Sequence, residues 1–199
     1  MKNKLNDIGI LGSGAWGTAL ACILNKKTNI SLWAYEKEIV TQINKHKINK
    51  TYLPGIKIPS NVSATNNLEE LKKCKFIFIC VPSQFIKKII LEFKKFYKKE
   101  MILVICSKGI EKNSKNLVSE VVKKIIPKSQ IAVLSGPSFA IEVAKKKPTA
   151  VTIASKNNKN AKELAKLVNS RTFRCYYTND IIGVQLGGVI KNILAIASG

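Results

Sequence analysis

The sequence predicts an α/β fold in which a doubly wound, mostly parallel sheet carries helices on both faces. Short apolar runs alternate with amphipathic stretches along the 199 residues, as in successive β-α-β units. Two of these runs, residues 76–81 and 101–106, are apolar at nearly every position, which is typical of strands buried on both faces. A composition of 46% hydrophobic and 23% charged residues is that of a globular chain with a core.

The elements follow from the pattern in chain order. Strands are predicted at residues 7–11, 30–35, 76–81, 101–106, 130–134, 150–154 and 173–177, where short apolar runs occur. Helices are predicted at residues 15–24, 37 to about 46, 117–125, 139–144 and 160–168. Between residues 85 and 97, large apolar side chains recur every three or four positions, which predicts one more amphipathic helix.

A glycine-rich turn follows the first predicted strand and opens the first predicted helix. It reads Gly12-Ser13-Gly14-Ala15-Trp16-Gly17. In this context the first glycine allows a tight turn, the second lets the backbone approach a pyrophosphate, and the third lets helix pack on strand. The N–H groups at the start of the helix then bind the anion. The turn therefore predicts a Rossmann-type dinucleotide site.

The end of the second strand bears on which dinucleotide is bound. An acidic residue there binds the ribose of NAD, and Glu36 occupies that place. Tyr35 is placed to stack on adenine, and Lys37 or another lysine is placed to meet the 2′-phosphate of NADP. The residues leave NAD and NADP both open.

The formal net charge of +22 favours anionic substrates but does not indicate a nucleic-acid or membrane protein. Apart from Arg171 and Arg174 the cations are lysines, and aromatic residues make up only 7% of the chain. Reading of base edges favours arginine, and single-strand binding favours interleaved aromatic residues. We therefore expect no nucleic-acid partner.

Cysteine and histidine usage argues against a metal site and a disulfide framework. The five cysteines are widely spaced without a Cys-x-x-Cys pair, and the single histidine, His46, is expected on the exposed face of a polar helix. Cys80 and Cys106 end apolar runs, so we expect small buried thiols in a reducing compartment. The N-terminus shows no secretory signal, and we expect a cytoplasmic protein.

The last segment, residues 181–199, is apolar almost throughout but is not expected to span a membrane. Gln185, Lys191 and Asn192 interrupt it, and a central lysine costs about 3 kcal/mol on insertion scales. A helix that is apolar all round belongs inside a large core. We therefore expect residues 1–178 to form the dinucleotide-binding domain and residues 179–199 the first helix of a helical substrate domain. The covering elements would belong to a longer chain or to a partner.

The motifs, taken together, resemble those of bacterial NAD(P)-dependent glycerol-3-phosphate dehydrogenases across essentially the whole chain. The matching segments are Gly-Ala-Trp-Gly-Thr-Ala-Leu-Ala (14–21), Tyr-Leu-Pro-Gly (52–55), Val-Pro-Ser (81–83), Ser-Lys-Gly-Ile-Glu (107–111), Gly-Pro-Ser-Phe-Ala-x-Glu-Val-Ala (136–144), Pro-Thr-Ala (148–150) and Gly-Val-Gln-Leu-Gly-Gly-Val-Ile-Lys-Asn (183–192). The resemblance implies reversible reduction of dihydroxyacetone phosphate to sn-glycerol 3-phosphate, a precursor for phospholipid synthesis. It also implies a helical C-terminal domain, whose motifs this sequence lacks.

The resemblance also implies roles for individual residues. Trp16 and Tyr35 correspond to cofactor contacts, as does Ala140, and Ala15 stands where many members have serine. Lys108 corresponds to a residue that touches both cofactor and substrate. Further correspondences are Gly136 and Ser138 to substrate contacts and Lys191 to the catalytic lysine.

The chemistry of ketone reduction makes the same lysine a candidate. Negative charge develops on the carbonyl oxygen, so a proton donor is needed there. Lys191 is the cation of an otherwise apolar helix, and burial of that helix would lower its pKa toward the working range. The alternative is a lysine that extends to the surface.

Lys108 and the Gly136-Pro137-Ser138 segment each follow a predicted strand, where a doubly wound sheet binds its ligand. We expect Ser138 to contact the substrate, to cap the short helix after it, or to do both. Two other functions remain open: a β-hydroxyacid or 6-phosphogluconate type of dehydrogenase, and a non-catalytic dinucleotide-binding protein. As partners we expect the three-carbon phosphate substrate and either a second copy, in a homodimer, or a complementing C-terminal polypeptide.

Overall fold

The computed structural model describes residues 8–24 and 28–198, except for the side chains of residues 192, 195 and 196. Within this part of the chain, eight strands form one sheet in the order β3-β2-β1-β4-β5-β6-β7-β8. The strands are β1 (Ile8–Leu11), β2 (Ile30–Trp33), β3 (Val62–Thr65), β4 (Phe76–Ile79), β5 (Ile102–Ile105), β6 (Gln130–Ser135), β7 (Thr149–Ala154) and β8 (Phe173–Thr178).

Seven α-helices are described alongside the sheet. They are α1 (Ala15–Ile23), α2 (Lys37–Thr41), α3 (Ile86–Phe93), α4 (Val118–Ile125), α5 (Ala140–Ala144), α6 (Asn158–Val168) and α7 (Ile181–Ala197). A π-helical turn, Gln42–His46, continues α2, and three short 3₁₀ segments lie at Leu68–Lys73, Ser83–Phe85 and Lys94–Phe96. His46 is exposed, in agreement with the sequence-based expectation.

The sheet reverses its strand order between β1 and β4, and this is where an open α/β sheet forms its ligand crevice. Strands β1 to β6 pair in parallel, whereas β7 pairs antiparallel with β6 and parallel with β8. The predicted doubly wound, mostly parallel sheet is therefore confirmed. The Rossmann-type order 3-2-1-4-5-6 occupies the first six strands.

Helices cover both faces of the sheet, as predicted. On one face, α1 and α6 pack on a core that includes Phe76, Phe78 and Phe173. On the other face, α3 and α4 bury the apolar stripe that their spacing predicts, including Ile86, Ile90 and Val122 in a second core. All four residues of β1, β2, β4 and β5 are buried, which explains their continuous apolar runs.

Two features of the fold differ from the sequence-based prediction. Strand β3, which reads Val-Ser-Ala-Thr, was not predicted, because an edge strand with alternating polar residues lacks an apolar run. The predicted helix between residues 85 and 97 is an α-helix only over Ile86–Phe93, with 3₁₀ turns at both ends. Asp7 and Gly199, the ends of two predicted elements, lie outside the described residues.

Helix α7 is anchored at its start and approaches β6 closely. Asp180 caps it by accepting a hydrogen bond from the Gly183 N–H at 2.9 Å. A Cβ on Gly188 would lie 2.5 Å from the Ser135 Oγ, so the helix passes directly over the end of β6. No described helix is both long and apolar enough to cross a bilayer.

Candidate functional site

The three glycines of the glycine turn, residues 12–17, differ in what an added side chain would meet. Gly12 has φ +110°, and a Cβ there would lie 2.9 Å from the Val81 nitrogen. A Cβ on Gly17 would lie 1.9 Å from the Gly12 carbonyl oxygen, so only glycine lets α1 pack this close to the turn. A Cβ on Gly14 would meet nothing within 4 Å and would project into open space. The backbone at Gly14 is therefore open to the approach of another group.

The start of α1 is available for an anion. Gly14 is its N-cap and supplies no side-chain cap, and its first turn carries no acidic residue. The N–H groups of a helix's first turn lack partners within the helix, and they carry the positive end of the helix dipole. This arrangement suits an anion such as a phosphate group.

A buried asparagine holds the glycine turn from below. Asn49 is fully buried, and its Nδ2 donates to the Ser13 carbonyl at 2.8 Å and to the Thr18 Oγ1 at 2.9 Å. Its Oδ1 accepts a hydrogen bond from the Tyr52 N–H at 3.1 Å. One amide therefore joins the glycine turn to the loop that carries the Tyr-Leu-Pro-Gly motif. Sequence reasoning missed Asn49, and its position just before that motif was the available signal.

A cavity of about 570 Å³ opens over the glycine turn, within the size range of ligand sites. Its floor is formed by the backbone of the turn and its walls by the ends of β2 and β4 and the start of α3. The lining residues are Gly12, Ser13, Gly14, Ala15, Trp16, Trp33, Tyr35, Glu36, Tyr52, Cys80, Val81, Pro82, Phe85, Lys88 and Ile89. The cavity thus brings together the predicted cofactor residues 12–16 and Tyr35, whereas Gly17 lies beneath it as a packing residue.

Aromatic side chains form one wall of this cavity. The ring of Tyr35 is 70% exposed and meets Trp33 edge-on, with their centroids 6.4 Å apart. The Lys88 Nζ lies 6.0 Å from the centroid of the Tyr35 ring. An exposed aromatic face at the end of β2 is suited to stacking against a planar base.

The carboxylate of Glu36 is held in place at the same wall. Its Oε1 accepts a hydrogen bond from the Tyr52 hydroxyl at 2.8 Å. This hydrogen bond and the negative charge of Glu36 raise the pKa of the Tyr52 hydroxyl, with partial desolvation contributing, so that Tyr52 stays a donor. Glu36 is the N-cap residue of α2 but makes no side-chain cap, which leaves its carboxylate to the cavity.

A second group of predicted residues lies next to the cavity, at the ends of β5 and β6. The Ser107 Oγ donates to the Val81 carbonyl at 2.5 Å, which packs the loop carrying Lys108 against the Val-Pro-Ser segment of the cavity wall. The Lys108 Nζ donates to the Gly136 carbonyl at 3.4 Å. Ser138 is partly buried in the same turn. Lys108, Gly136 and Ser138 are therefore neighbours, as their positions after predicted strands indicated.

Lys191 reaches this second group from α7. Its Nζ lies 5.1 Å from the ring centroid of Phe139, which is 66% exposed. Burial lowers the pKa of the Lys108 ammonium, and the nearby positive charge of Lys191 lowers it further. Because the charges of the two ammonium groups act on each other, this part of the surface is locally positive and suited to an anion.

The position of α7 depends on Gln185, which sequence reasoning did not single out as functional. Gln185 is buried, its Nε2 donates to the Ser119 Oγ at 2.7 Å, and its Oε1 accepts from the Ser119 N–H at 3.1 Å. These two hydrogen bonds fix α7 to the start of α4. Because α4 follows the loop that carries Lys108, these hydrogen bonds also hold α7, and with it Lys191, near that loop.

Three local expectations need correction. Ser138 does not cap α5, because Phe139 is the N-cap without a side-chain cap and the Ser138 Oγ donates to the Gly136 carbonyl at 3.4 Å. Cys80 is only partly buried and lines the cavity, whereas Cys106 is buried as expected. Lys191 is partly exposed rather than buried, and its neighbours Ile190 and Ile193 are 48% and 60% exposed.

Ala140 and Glu111 have clear structural positions. Ala140 begins α5 and packs against the core shared with α1, outside the lining of the cavity. The carboxylate of Glu111, from the Ser-Lys-Gly-Ile-Glu motif, is buried and accepts hydrogen bonds from the N–H groups of Ser114 at 2.8 Å and Asn113 at 3.1 Å. These contacts lower the pKa of Glu111, with Ser114 the main cause, and stabilise the loop after Lys108.

Comparison with known proteins places this geometry in one enzyme family. The sequence profile described as NAD-dependent glycerol-3-phosphate dehydrogenase N-terminus matches residues 7–161. Curated relatives named glycerol-3-phosphate dehydrogenase [NAD(P)+] include one from Citrifermentans bemidjiense, 42% identical over 197 residues, and one from Zymomonas mobilis, 41% identical over 197 residues. These alignments cover 96% and 99% of this chain but 59% and 57% of the two relatives, so the chain spans under two thirds of their length.

The fold agrees with this assignment. The crystal structure of glycerol-3-phosphate dehydrogenase from Coxiella burnetii superposes with a TM-score of 0.91 at 39% identity, covering 96% of this chain and 59% of that one. The profile match extends from the end of the N-terminal segment into α6 and includes the glycine turn, the cavity wall and the Lys108 loop. The chain therefore belongs to the NAD-dependent glycerol-3-phosphate dehydrogenase family.

Proposed function

We propose that this chain contributes the dinucleotide site and the reacting lysines of an oxidoreductase that interconverts dihydroxyacetone phosphate and sn-glycerol 3-phosphate with NAD or NADP. The observation that carries the proposal is the adjacency of two features: the cavity over the glycine turn and the Lys108–Lys191 group beside it. The names of the curated relatives support the same reaction. Its product would serve phospholipid synthesis.

The cavity fits a nicotinamide dinucleotide. The open space over Gly14 and the N–H groups at the start of α1 would hold the pyrophosphate, with Gly12, Ser13, Ala15 and Trp16 completing the backbone cradle. Tyr35 would stack on the adenine, and Gly17 allows α1 to approach. When bound, the dinucleotide supplies or accepts the hydride.

The Lys108–Lys191 group would bind the substrate. Lys108 would neutralise part of the charge of the substrate or cofactor, and the bound anion would oppose the burial and the repulsion from Lys191 that lower the pKa of Lys108. Gly136 and Ser138, in the turn that Lys108 contacts, would position the substrate oxygens. Ala140, at the start of α5, would contact the cofactor. The net charge of +22 would assist the capture of a dianionic phosphate.

Lys191 would move the proton. As the substrate's carbonyl carbon gains a hydride, its oxygen gains negative charge, and the Lys191 ammonium donates a proton to that oxygen. In the oxidation direction, neutral Lys191 takes the proton from the substrate hydroxyl. Exclusion of water would make both transfers more effective, which requires that the exposed apolar residues around Lys191 become covered.

This requirement supports the proposed division of the chain. Residues 1–178 would be the dinucleotide-binding domain, and residues 179–199 would belong to a helical substrate domain. The face of α7 with Ile182, Ile190, Ile193 and Leu194 is 48–60% exposed, so a second copy in a homodimer or a complementing C-terminal polypeptide would cover it. We propose that the protein acts in the cytoplasm.

The proposed function is tested by an activity assay on the full-length natural protein. We expect oxidation of NADH or NADPH that depends on dihydroxyacetone phosphate. The reaction is measured as a decrease in the absorbance of the reduced nicotinamide. Lys191→Met should reduce turnover at least 1,000-fold while dinucleotide binding stays unchanged, a loss of about 4 kcal/mol of transition-state stabilisation. Lys145→Met, an exposed lysine just after α5, is the matched control and should keep both. Binding without turnover in the unsubstituted protein would instead support a non-catalytic dinucleotide-binding protein.

A further inference from the structure

A chain of hydrogen bonds connects Glu36, in the lining of the cavity, to two other segments of the protein. The Ser13 carbonyl accepts from Asn49, Asn49 accepts from the Tyr52 N–H, and the Tyr52 hydroxyl donates to Glu36. The Leu53 N–H also donates to the Asn49 carbonyl at 3.0 Å, which closes the turn that carries Tyr52. The position of the Glu36 carboxylate is therefore tied to the glycine turn through hydrogen bonds.

We propose that Asn49 and Tyr52 hold the Glu36 carboxylate as a fixed acceptor for the adenosine ribose, and that this arrangement selects NAD over NADP. The inference rests on the proposed function, because it assumes that the cavity over the glycine turn binds a dinucleotide. Glu36 and Tyr52 are in the lining of that cavity, at the end of β2. Asn49 and Tyr52 act as positioning residues.

The chemistry of the two dinucleotides differs only at the 2′ position of this ribose. NAD carries a hydroxyl there, which donates to a carboxylate, whereas NADP carries a phosphate, which a carboxylate repels. The Tyr52 hydroxyl uses one lone pair of Glu36 and leaves the others free to accept from a ribose diol. A carboxylate held by one donor and pointed at the cavity therefore favours NAD.

Lys88 is the cation in the cavity lining that would compete with Glu36 for control of selectivity. It belongs to α3, and its Nζ lies 6.0 Å from the centroid of the Tyr35 ring. Lys37, which follows Glu36, is exposed and does not line the cavity.

The experiment measures the dissociation constants of NAD⁺ and NADP⁺ by isothermal titration calorimetry, without substrate or turnover. We expect the unsubstituted protein to bind NAD⁺ at least tenfold more tightly. Glu36→Gln should lower this ratio at least tenfold, and Tyr52→Phe should lower it in the same direction by a smaller factor. Glu38→Gln is the matched control, since Glu38 is an exposed carboxylate two residues away that is bonded to Gln42 and lies outside the cavity. It should leave the ratio unchanged.

The outcomes separate this inference from the proposed function. If neither dinucleotide binds, the proposed function fails. If both bind but NADP⁺ is equal or tighter, or if Glu36→Gln leaves the ratio within twofold, the selection by Glu36 is wrong. A general loosening of the site by Tyr52→Phe would weaken both dinucleotides equally and would overturn its positioning role. Lys88→Met should weaken both equally, and a selective loss of NADP⁺ binding would assign selectivity to Lys88 instead.

Discussion

Replacing Asn49 by alanine should destabilise the protein more than any exposed amide substitution, because this side chain makes three hydrogen bonds without contact to water. The substitution removes the bonds to the Ser13 carbonyl and Thr18 Oγ1 and leaves the Tyr52 N–H without its acceptor. At about 1 kcal/mol for each hydrogen bond, the free energy of unfolding should fall by about 3 kcal/mol. For a chain of this size that is a fall in the thermal midpoint of about 6–12 °C.

The assay is urea unfolding followed by far-UV circular dichroism, with Asn44→Ala measured in parallel. Asn44 has the same side chain and exchanges two hydrogen bonds with the backbone of Ala64, at 2.9 and 2.8 Å, but it is exposed. Water can replace those bonds, so its loss should be about 1 kcal/mol or less. A loss below 1 kcal/mol for Asn49→Ala, or equal losses for the two variants, would refute the reasoning that burial makes this amide important.

Three further predictions concern the glycine turn, the α7 anchor and the Lys108 loop. Gly14→Ala should fold normally yet bind dinucleotide at least tenfold more weakly by calorimetry. Gly17→Ala should lower the thermal midpoint sharply, because its Cβ would clash with the backbone. Equal thermal midpoints for the two variants would contradict this contrast. Gln185→Leu should lower the free energy of unfolding by about 2 kcal/mol in urea titrations, since its two bonds to Ser119 are lost, and an unchanged midpoint would show that α7 is held otherwise. Because the pKa of Glu111 is lowered in the folded protein, its carboxylate stabilises the fold above the ordinary carboxyl pKa of about 4.3, and this stability is lost as pH falls further. Glu111→Gln should therefore reduce the urea midpoint more at pH 7 than at pH 3. Equal reductions at the two pH values would count against the reasoning.

Much of the fold could be predicted from local sequence, because most of its central strands are buried on both faces. Strands β1, β4 and β5 have continuous apolar runs, and the glycine turn marks where β1 passes into α1. The reversed direction of β7 could not be predicted, since an apolar run carries no information about its pairing partner. Strand β3 was missed for a related reason: its pairing with β2 comes from the backbone, and its side chains alternate.

Some residues of the candidate site could likewise be recognised from the sequence, and others could not. Residues whose backbone conformation or chemistry is unusual, such as Gly12 and Lys191, could be named as candidates from the sequence. Asn49 and Gln185 could not be identified as buried, because an amide in a lysine-rich loop or on an apolar helix has no intrinsic preference for the interior. Their burial depends on long-range partners, Ser13 for one and Ser119 for the other, that only the folded chain brings together.

Trp16 and Trp33, the chain's two tryptophans, both lie in the wall of the cavity over the glycine turn. The intrinsic emission of this protein is therefore a local signal, and no engineered label is needed to follow ligand entry. Because Trp33 is also a buried residue of β2, a fluorescence melt reports the unfolding of the crevice together with that strand. A difference between emission and circular dichroism midpoints would measure how independently the crevice opens.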